Sequence, residues 1–320
     1  MEYSENRDSY AKIATLYYIA NLSQDEIASM FGISRYKVSR VLKKCRLLKI
    51  VEFQINNQPG YYSNIEKQIK ENLKILQVTI APSGSTLQKS KENVARAAAY
   101  YLEQTIKDGM KIGLSWGSTI QLLLKYYEKD ESFPNAIFVQ LSGNICTRSI
   151  TNNGFMDGNI FVRQMAEKTR SGWAVLQLPY IVQNPSLKEL LYQEPQINKH
   201  IALFQKLDMA IIGIGSDDPS KSVSFLSGYI SFEDTKKLSD DGMGADICGT
   251  RLTADGKLRE TFLSNRVITI DISDLYNMSE VCAVGAGAEK AHSIIAGCRG
   301  GYIKRIIIDE VCALSLLNLL

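Results

Sequence analysis

From Leu76 to the C-terminus, short apolar runs alternate with helix-patterned segments, and this alternation limits the possible folds more than any other feature. Candidate strands are residues 77–81, 111–115, 136–141, 173–178, 209–213, 267–270, 281–284 and 305–308. Helical patterns over 91–106, 119–127, 155–168 and 290–296 lie between them. Parallel strands need a crossover connection, usually a helix, so the alternation predicts an α/β domain with a doubly wound, mainly parallel sheet. Such sheets bind ligands beyond the carboxyl ends of their strands, which makes the strand-to-helix loops the candidate sites.

The first sixty residues read differently. Tyr10, Ile13, Ala14, Leu16, Tyr17 and Ala20 recur near helical spacing. Ser23 and Glu26 form a capping-box pair ahead of the apolar positions Ile27, Ala28 and Phe31. Gly32 supplies a tight turn, and Ser34 is an N-cap for a third helix with Val38, Val41 and Leu42 pointing inward. Helix, glycine turn and helix at this spacing predict a helix-turn-helix. Ile50–Ile55 alternates like a strand and predicts a small wing after it.

Charge assigns a task to this head. The net charge of +3 looks uninformative as an average. Residues 1–58, however, hold nine basic and six acidic side chains, while the rest of the chain balances. Between Phe31 and Lys49 stand seven basic residues and no acidic one, whereas a merely solvated helix face mixes signs. The candidate DNA-binding residues are Gln24, Ser34, Arg35, Tyr36, Lys37, Ser39, Arg40, Lys43 and Lys44. Those in the N-terminal half of the third helix can reach base edges in the major groove, where Arg and Lys donate to guanine. Lys43, Lys44 and Arg46 lie nearer the phosphate backbone.

The breaker cluster Asn56-Asn57-Gln58-Pro59-Gly60 divides the chain into a DNA-binding domain over 1–58, a linker over 59–76 and an effector domain over 77–320. Ile65, Ile69, Leu73 and Leu76 form one stripe in the linker, either packed on its own domain or pairing two subunits. The six cysteines are scattered, with no metal-ligand spacing, and read as small core hydrophobes in a reducing compartment. No metal or cofactor is expected. The N-terminus has no apolar signal core and no run approaches a membrane span, so the protein is expected in the cytoplasm.

Three loops carry candidate chemistry. In Gly113–Thr119, Gly117 allows close backbone approach, while Ser118 and Thr119 open a helix where an anion is favoured; an ordinary capped helix fits the same pattern. Gly285-Ala286-Gly287-Ala288-Glu289-Lys290 departs from a dinucleotide fingerprint at Lys290, although Asp309 lies near the acidic position. A lysine at a helix start beneath a glycine turn instead suits a phosphate anchor. In Gly244–Gly249, Asp246 suits recognition of sugar hydroxyls, and Asp255-Gly256 reads as a hairpin turn.

Residues 22–28 (LSQDEIA) and 32–43 (GISRYKVSRVLK) resemble the N-terminus of the SorC family of sugar-responsive transcriptional regulators. The blocks Gly285–Lys290, Gly300-Gly301-Tyr302-Ile303 and Ile308-Asp309-Glu310 resemble that family's C-terminal signature. Ala245-Asp246-Ile247 and Met209–Gly215 resemble two further segments, so the likeness spans nearly the whole chain. It implies a winged helix-turn-helix joined to an effector domain similar to sugar-phosphate isomerases, binding operator DNA and a phosphorylated sugar as a homo-oligomer (dimer or tetramer). It implies phosphate contacts from Gly117, Ser118, Thr119 and Lys290, hydroxyl contacts from Asp246, a lining role for Gly143, and a second anion contact from Arg148 or Arg251. The chain departs from the family in having Arg251-Leu252 where an aromatic pair is usual, and Ser118 where many members have arginine. Fold likeness to isomerases leaves an enzyme as the alternative, but isomerisation needs a placed base. The only histidines, His200 and His292, read as helix-surface residues, so no catalysis is expected.

Overall fold

The computed structural model describes residues 6–52, 62–145, 158–216 and 218–320. The chain divides into two compact units, Met1–Tyr61 and Tyr62–Leu320.

The first unit is built on three helices, α1 (Arg7–Tyr18), α2 (Gln24–Phe31) and α3 (Arg35–Leu47). Each begins at a side-chain cap, from Asn6, Ser23 and Ser34. The predicted capping box forms reciprocally: Ser23 Oγ accepts from Glu26 N at 3.2 Å, and Glu26 Oε2 accepts from Ser23 N at 2.7 Å. Gly32 closes α2 in the left-handed conformation, and Ile33-Ser34 completes the turn into α3. Tyr10, Ile13, Ile27, Phe31, Val38, Val41, Leu42 and Cys45 make one buried cluster. The expected wing finds no support in Ile50–Glu52, where Ile50 and Val51 form a bend and none of the three is strand. The carbonyl of Cys45 accepts from the backbones of Ile50 and Val51, curling the chain back on α3. Residues 53–55 lie outside the described residues.

The second unit opens with α4 (Ser63–Leu73), then β1 (Gln77–Ala81), α5 (Leu87–Thr105), β2 (Lys111–Leu114), α6 (Ser118–Tyr126) and β3 (Ile137–Gln140). α7 (Gly158–Thr169), β4 (Gly172–Ala174), α8 (Pro185–Gln193), α9 (Pro195–Phe204) and β5 (Met209–Gly213) follow. Next come α10 (Val223–Leu226), α11 (Phe232–Asp240), and the short antiparallel pair β6 (Ala245–Ile247) and β7 (Thr250–Leu252). The chain closes with α12 (Ile272–Asn277), β8 (Val281–Gly285), α13 (Ala291–Arg299), β9 (Arg305–Asp309) and α14 (Glu310–Leu319).

The main sheet has seven parallel strands in the order β1-β9-β8-β5-β2-β3-β4. Alternate side chains of its central strands feed two cores. Met209 and Ile211 pack with α5, α6 and α7 on one face, while Ala210 and Ile212 pack with α4, α13 and α14 on the other. Each such fully buried isoleucine contributes about 1.5–3 kcal/mol of transfer free energy. The stripe of α4 belongs here: Ile69 and Leu73 are buried in the core shared with Ala313 and Leu316 of α14. Residues 267–270 are not a strand of the sheet, since Val267 and Thr269 make only isolated bridges to Ile181 and Ser142. All five cysteines among the described residues are buried and free.

The chain runs from β2 outward to β3 and β4, then returns to β5 on the other side of β2. The loops after β2 and β5 therefore leave adjacent strands in opposite directions and open a crevice at the carboxyl edge, where ligands bind in sheets of this type.

Candidate functional site

On the first unit, α3 presents Arg35, Tyr36, Ser39, Arg40, Lys43 and Arg46 to solvent, with Tyr36 76% exposed. Tyr10, Ser34, Tyr36, Lys37, Arg40, Val41 and Lys44 line a shallow groove between α1 and α3. Several of the predicted contact residues have internal partners, Ser34 among them, whose Oγ accepts from Lys37 N at 3.2 Å. Lys44 Nζ donates to the Tyr10 hydroxyl at 3.2 Å, and an Arg35 guanidinium nitrogen lies 3.7 Å from Asp25 Oδ2. Gln24 is half-buried at the start of α2.

On the second unit, a cleft of about 120 Å³ lies at the switch point of the sheet. Gly117, Ser118 and Thr119 from the β2–α6 loop line it, together with Gly213–Gly215 after β5, Asp246 of β6, and Gly285 and Lys290 after β8. Gly117 precedes α6 with φ 149°, a conformation reserved for glycine, and no side chain caps the helix. The first-turn N–H groups of α6 are left without a side-chain acceptor, and with the helix dipole they favour an anion. Gly215 is needed for room: a Cβ there would lie 2.4 Å from Asp246 Cβ.

Lys290 projects into this cleft with no ion-pair or hydrogen-bond partner among the described residues. Burial pushes its ammonium pKa below the ordinary lysine value, Glu289 opposes that shift, and the neighbouring Lys91 and Lys221 add to it. Asp246, 9% exposed, accepts from Gly249 N at 2.9 Å through Oδ1, and its Oδ2 lies 3.5 Å from the Arg251 guanidinium. Trp116 also lines the cleft, packed edge-on against Tyr180 at 5.1 Å, and its Nε1–H is buried without an acceptor among the described residues.

The structure thus brings together Gly117, Ser118, Thr119, Asp246 and Lys290. It does not bring Arg251 to the cleft: that side chain is 6% exposed, faces Asp246, and donates to Ser222 Oγ at 3.1 Å. Its charge is already used to hold the Asp246 carboxylate, so it is not a free second anion contact. Gly143 also does not line the cleft. It is pressed against the Pro179 backbone, where a Cβ would meet the Pro179 carbonyl oxygen at 2.4 Å, and Ser142 takes the lining position. Arg148 lies outside the described residues. His200 is corrected from surface to core: it is 7% exposed, its Nε2 sits 2.9 Å from the Gln140 carbonyl oxygen, and burial lowers its pKa. Asp309 is taken as well, with Oδ1 accepting from Gly287 N at 2.9 Å, which removes the acidic group a dinucleotide ribose would need. Lys91 and Ser142 line the cleft outside the predicted site residues, while Trp116 and Gly285 line it from within two of the predicted loops. Lys91 sits in the polar run Lys89-Ser90-Lys91 of α5, which carries no local signal of a site.

The family model described as "Putative sugar-binding domain" matches residues 59–318. The sorbitol operon regulator of Klebsiella pneumoniae is 24% identical over 323 residues, covering 99% of this chain and 100% of that one. The chain belongs to the SorC family of sugar-binding transcriptional regulators. The deoxyribonucleoside regulator of Bacillus subtilis is also similar, 24% identical over 316 residues and 98% of each chain. The crystal structure of the full-length sorbitol operon regulator from Klebsiella pneumoniae shares the fold, with a TM-score of 0.78, 24% identity, and coverage of 98% of this chain and 100% of that one. Among the described residues no helix is long and apolar enough to cross a membrane.

Proposed function

We propose that this SorC-family protein binds operator DNA through α3 and is controlled by a phosphorylated sugar seated in the cleft at the switch point of the sheet. The observation that carries the effector reading is Lys290. An unpaired, largely buried ammonium facing the uncapped N-terminus of α6 has an unmet need for an anion, and a phosphate monoester supplies one. In this reading Ser118 and Thr119 donate to the phosphate, while Asp246, braced by Arg251 and Gly249 N, accepts from sugar hydroxyls. The exposed basic face of α3 provides the polyanion contact.

Control requires that the effector bind one arrangement of the protein more tightly than another, since a ligand shifts an equilibrium only by its differential affinity. The similar proteins are a sorbitol operon regulator and a deoxyribonucleoside regulator, which supports a carbohydrate operon as the target and gives the enzyme alternative no support. The test is binding of the full-length protein to DNA flanking its own gene, across a panel of sugar phosphates and the matching free sugars. At least one phosphorylated sugar should change DNA affinity, with its unphosphorylated counterpart inert. Lys290→Ala should abolish that response and leave DNA binding intact. A Lys290→Ala protein that responds normally would remove the anchor from this reading.

A further inference from the structure

The junction between β9 and α14 carries a carboxylate that is buried away from the cleft yet tied to one of its loops. Asp309 is 1% exposed. Its Oδ1 accepts from Gly287 N at 2.9 Å and from Cys312 N at 3.2 Å, and its Oδ2 accepts from Ser83 Oγ at 3.0 Å. These donors belong to the loop after β1, the turn after β8 and the first turn of α14. Gly287 has φ 102°, and its carbonyl oxygen accepts from Lys290 N at 3.2 Å. The turn that Asp309 holds is therefore the one that carries Lys290 into the cleft. Breaking one of these bonds leaves a buried charged acceptor short of a donor, which is costly. The turn after β8 and the start of α14 accordingly move together rather than apart.

The next residue reaches a different element. Glu310 Oε2 accepts from the Tyr62 hydroxyl at 3.1 Å. Tyr62 occupies the N-cap position of α4, its carbonyl oxygen accepts from Glu66 N at 2.8 Å, and its ring packs on the core that α4 shares with α14. It is also the first residue of the second unit, where the chain arrives from the DNA-binding unit. Tyr62 and Glu310 are both half-buried, so this contact, unlike those of Asp309, opens to water at little cost.

We propose that the dipeptide Asp309-Glu310 couples occupancy of the cleft to the entry of α4. Asp309 is the positioning residue of the Lys290 turn, and Glu310 passes a displacement of that turn to Tyr62. A ligand on Lys290 draws the Gly287 turn, Asp309 carries the first turn of α14 with it, and the Glu310–Tyr62 contact is made in one arrangement and released in the other. This deepens, and rests on, the reading of Lys290 as part of an effector site. It divides the work between neighbours. Asp309 sets how tightly the effector binds, and the Glu310–Tyr62 contact sets how much of that binding reaches the segment carrying the DNA-binding unit. Coupling is reciprocal, so it also appears as a difference in effector affinity with and without DNA.

The test is calorimetric titration of the full-length protein with hexose, pentose and hexitol monophosphates, each tested singly, with and without the DNA flanking its own gene. In the wild type, at least one of them should bind free and DNA-bound protein with affinities that differ by about 5–150-fold, the usual range of coupling. Tyr62→Phe keeps the ring in the core and removes only the hydroxyl. It should bind the same sugar phosphate, and separately the same DNA, within about twofold of the wild type, with the difference between free and DNA-bound protein lost. Glu310→Ala should lose that difference in the same way, and the double variant should lose nothing more. Asp309→Asn should instead weaken the sugar phosphate roughly tenfold in the absence of DNA. Ser83→Ala, a gentler change at the same carboxylate, should act in the same direction. An undiminished difference in Tyr62→Phe and Glu310→Ala would overturn the coupling and leave the effector site standing. Wild-type affinity in both Asp309→Asn and Ser83→Ala would overturn the positioning role. If no sugar phosphate binds the wild type, or if DNA never alters its binding, the effector-controlled reading fails and the coupling with it.

Discussion

The two units of this protein hold their cations in opposite ways. Arg40, Lys43 and Arg46 stand in water on α3, free to meet a long polyanion whose position is set by helical geometry. Lys290 and Lys91 are drawn into a cleft, where burial weakens their hold on the proton and the neighbouring Glu289 opposes that shift. The first arrangement provides attraction that many phosphates can satisfy. The second gives selectivity, because few ligands are small enough to enter and charged enough to repay desolvation.

Salt separates the two most sharply. If about six phosphates are neutralised per DNA-binding unit, a log–log slope near −5 costs roughly a thousandfold in DNA affinity between 50 and 200 mM salt. Phosphate affinity of the cleft, measured calorimetrically over the same range, should change far less, since buried charges are weakly screened. Equal slopes would erase the contrast. Arg40→Ala should come next, weakening DNA binding roughly tenfold to a hundredfold in a gel-shift or anisotropy titration while leaving phosphate affinity unchanged.

Alkaline pH should act on the cleft alone. Because burial lowers the Lys290 pKa, raising pH deprotonates it before an ordinary lysine with a pKa of 10.5, and phosphate affinity should fall in that window. A decline that begins only above that value would place Lys290 in solvent. The smallest effect is confined to the head: Ser23→Ala removes the cap of α2 and should lower thermal stability by roughly 5 °C, with no change in the cleft.

Much of this was legible where the chain states its structure locally. The capping box at Ser23 and Glu26, the turn at Gly32 and the cap at Ser34 depend on neighbours three residues apart or fewer. The strands β1 and β5 coincide with their apolar runs, although β1 lies at the edge of the sheet and β5 at its centre. Less legible were segments whose state depends on distant partners. Residues 267–270 are as apolar as a strand, but they join no strand of the sheet and instead make single bridges to Ser142 and Ile181. Residues 245–252 read as a loop around Asp246, yet they pair as β6 and β7 because Arg251 and Asp246 face each other across the hairpin.

By itself, the sequence determined the helix-turn-helix, the concentration of positive charge on it, the alternating α/β body and the glycine-flanked loops that offer an anchor at Lys290. Those follow from periodicity, capping and charge sign, which are properties of short stretches. Only the tertiary structure decided that Arg251 braces Asp246, that His200 belongs to the core, and that Lys91 and Lys290 line one cleft. Asp246 and Arg251 meet across a hairpin, whereas Lys91 and Lys290 are far apart in the chain and are brought together by the crossovers of the sheet, which no local pattern records.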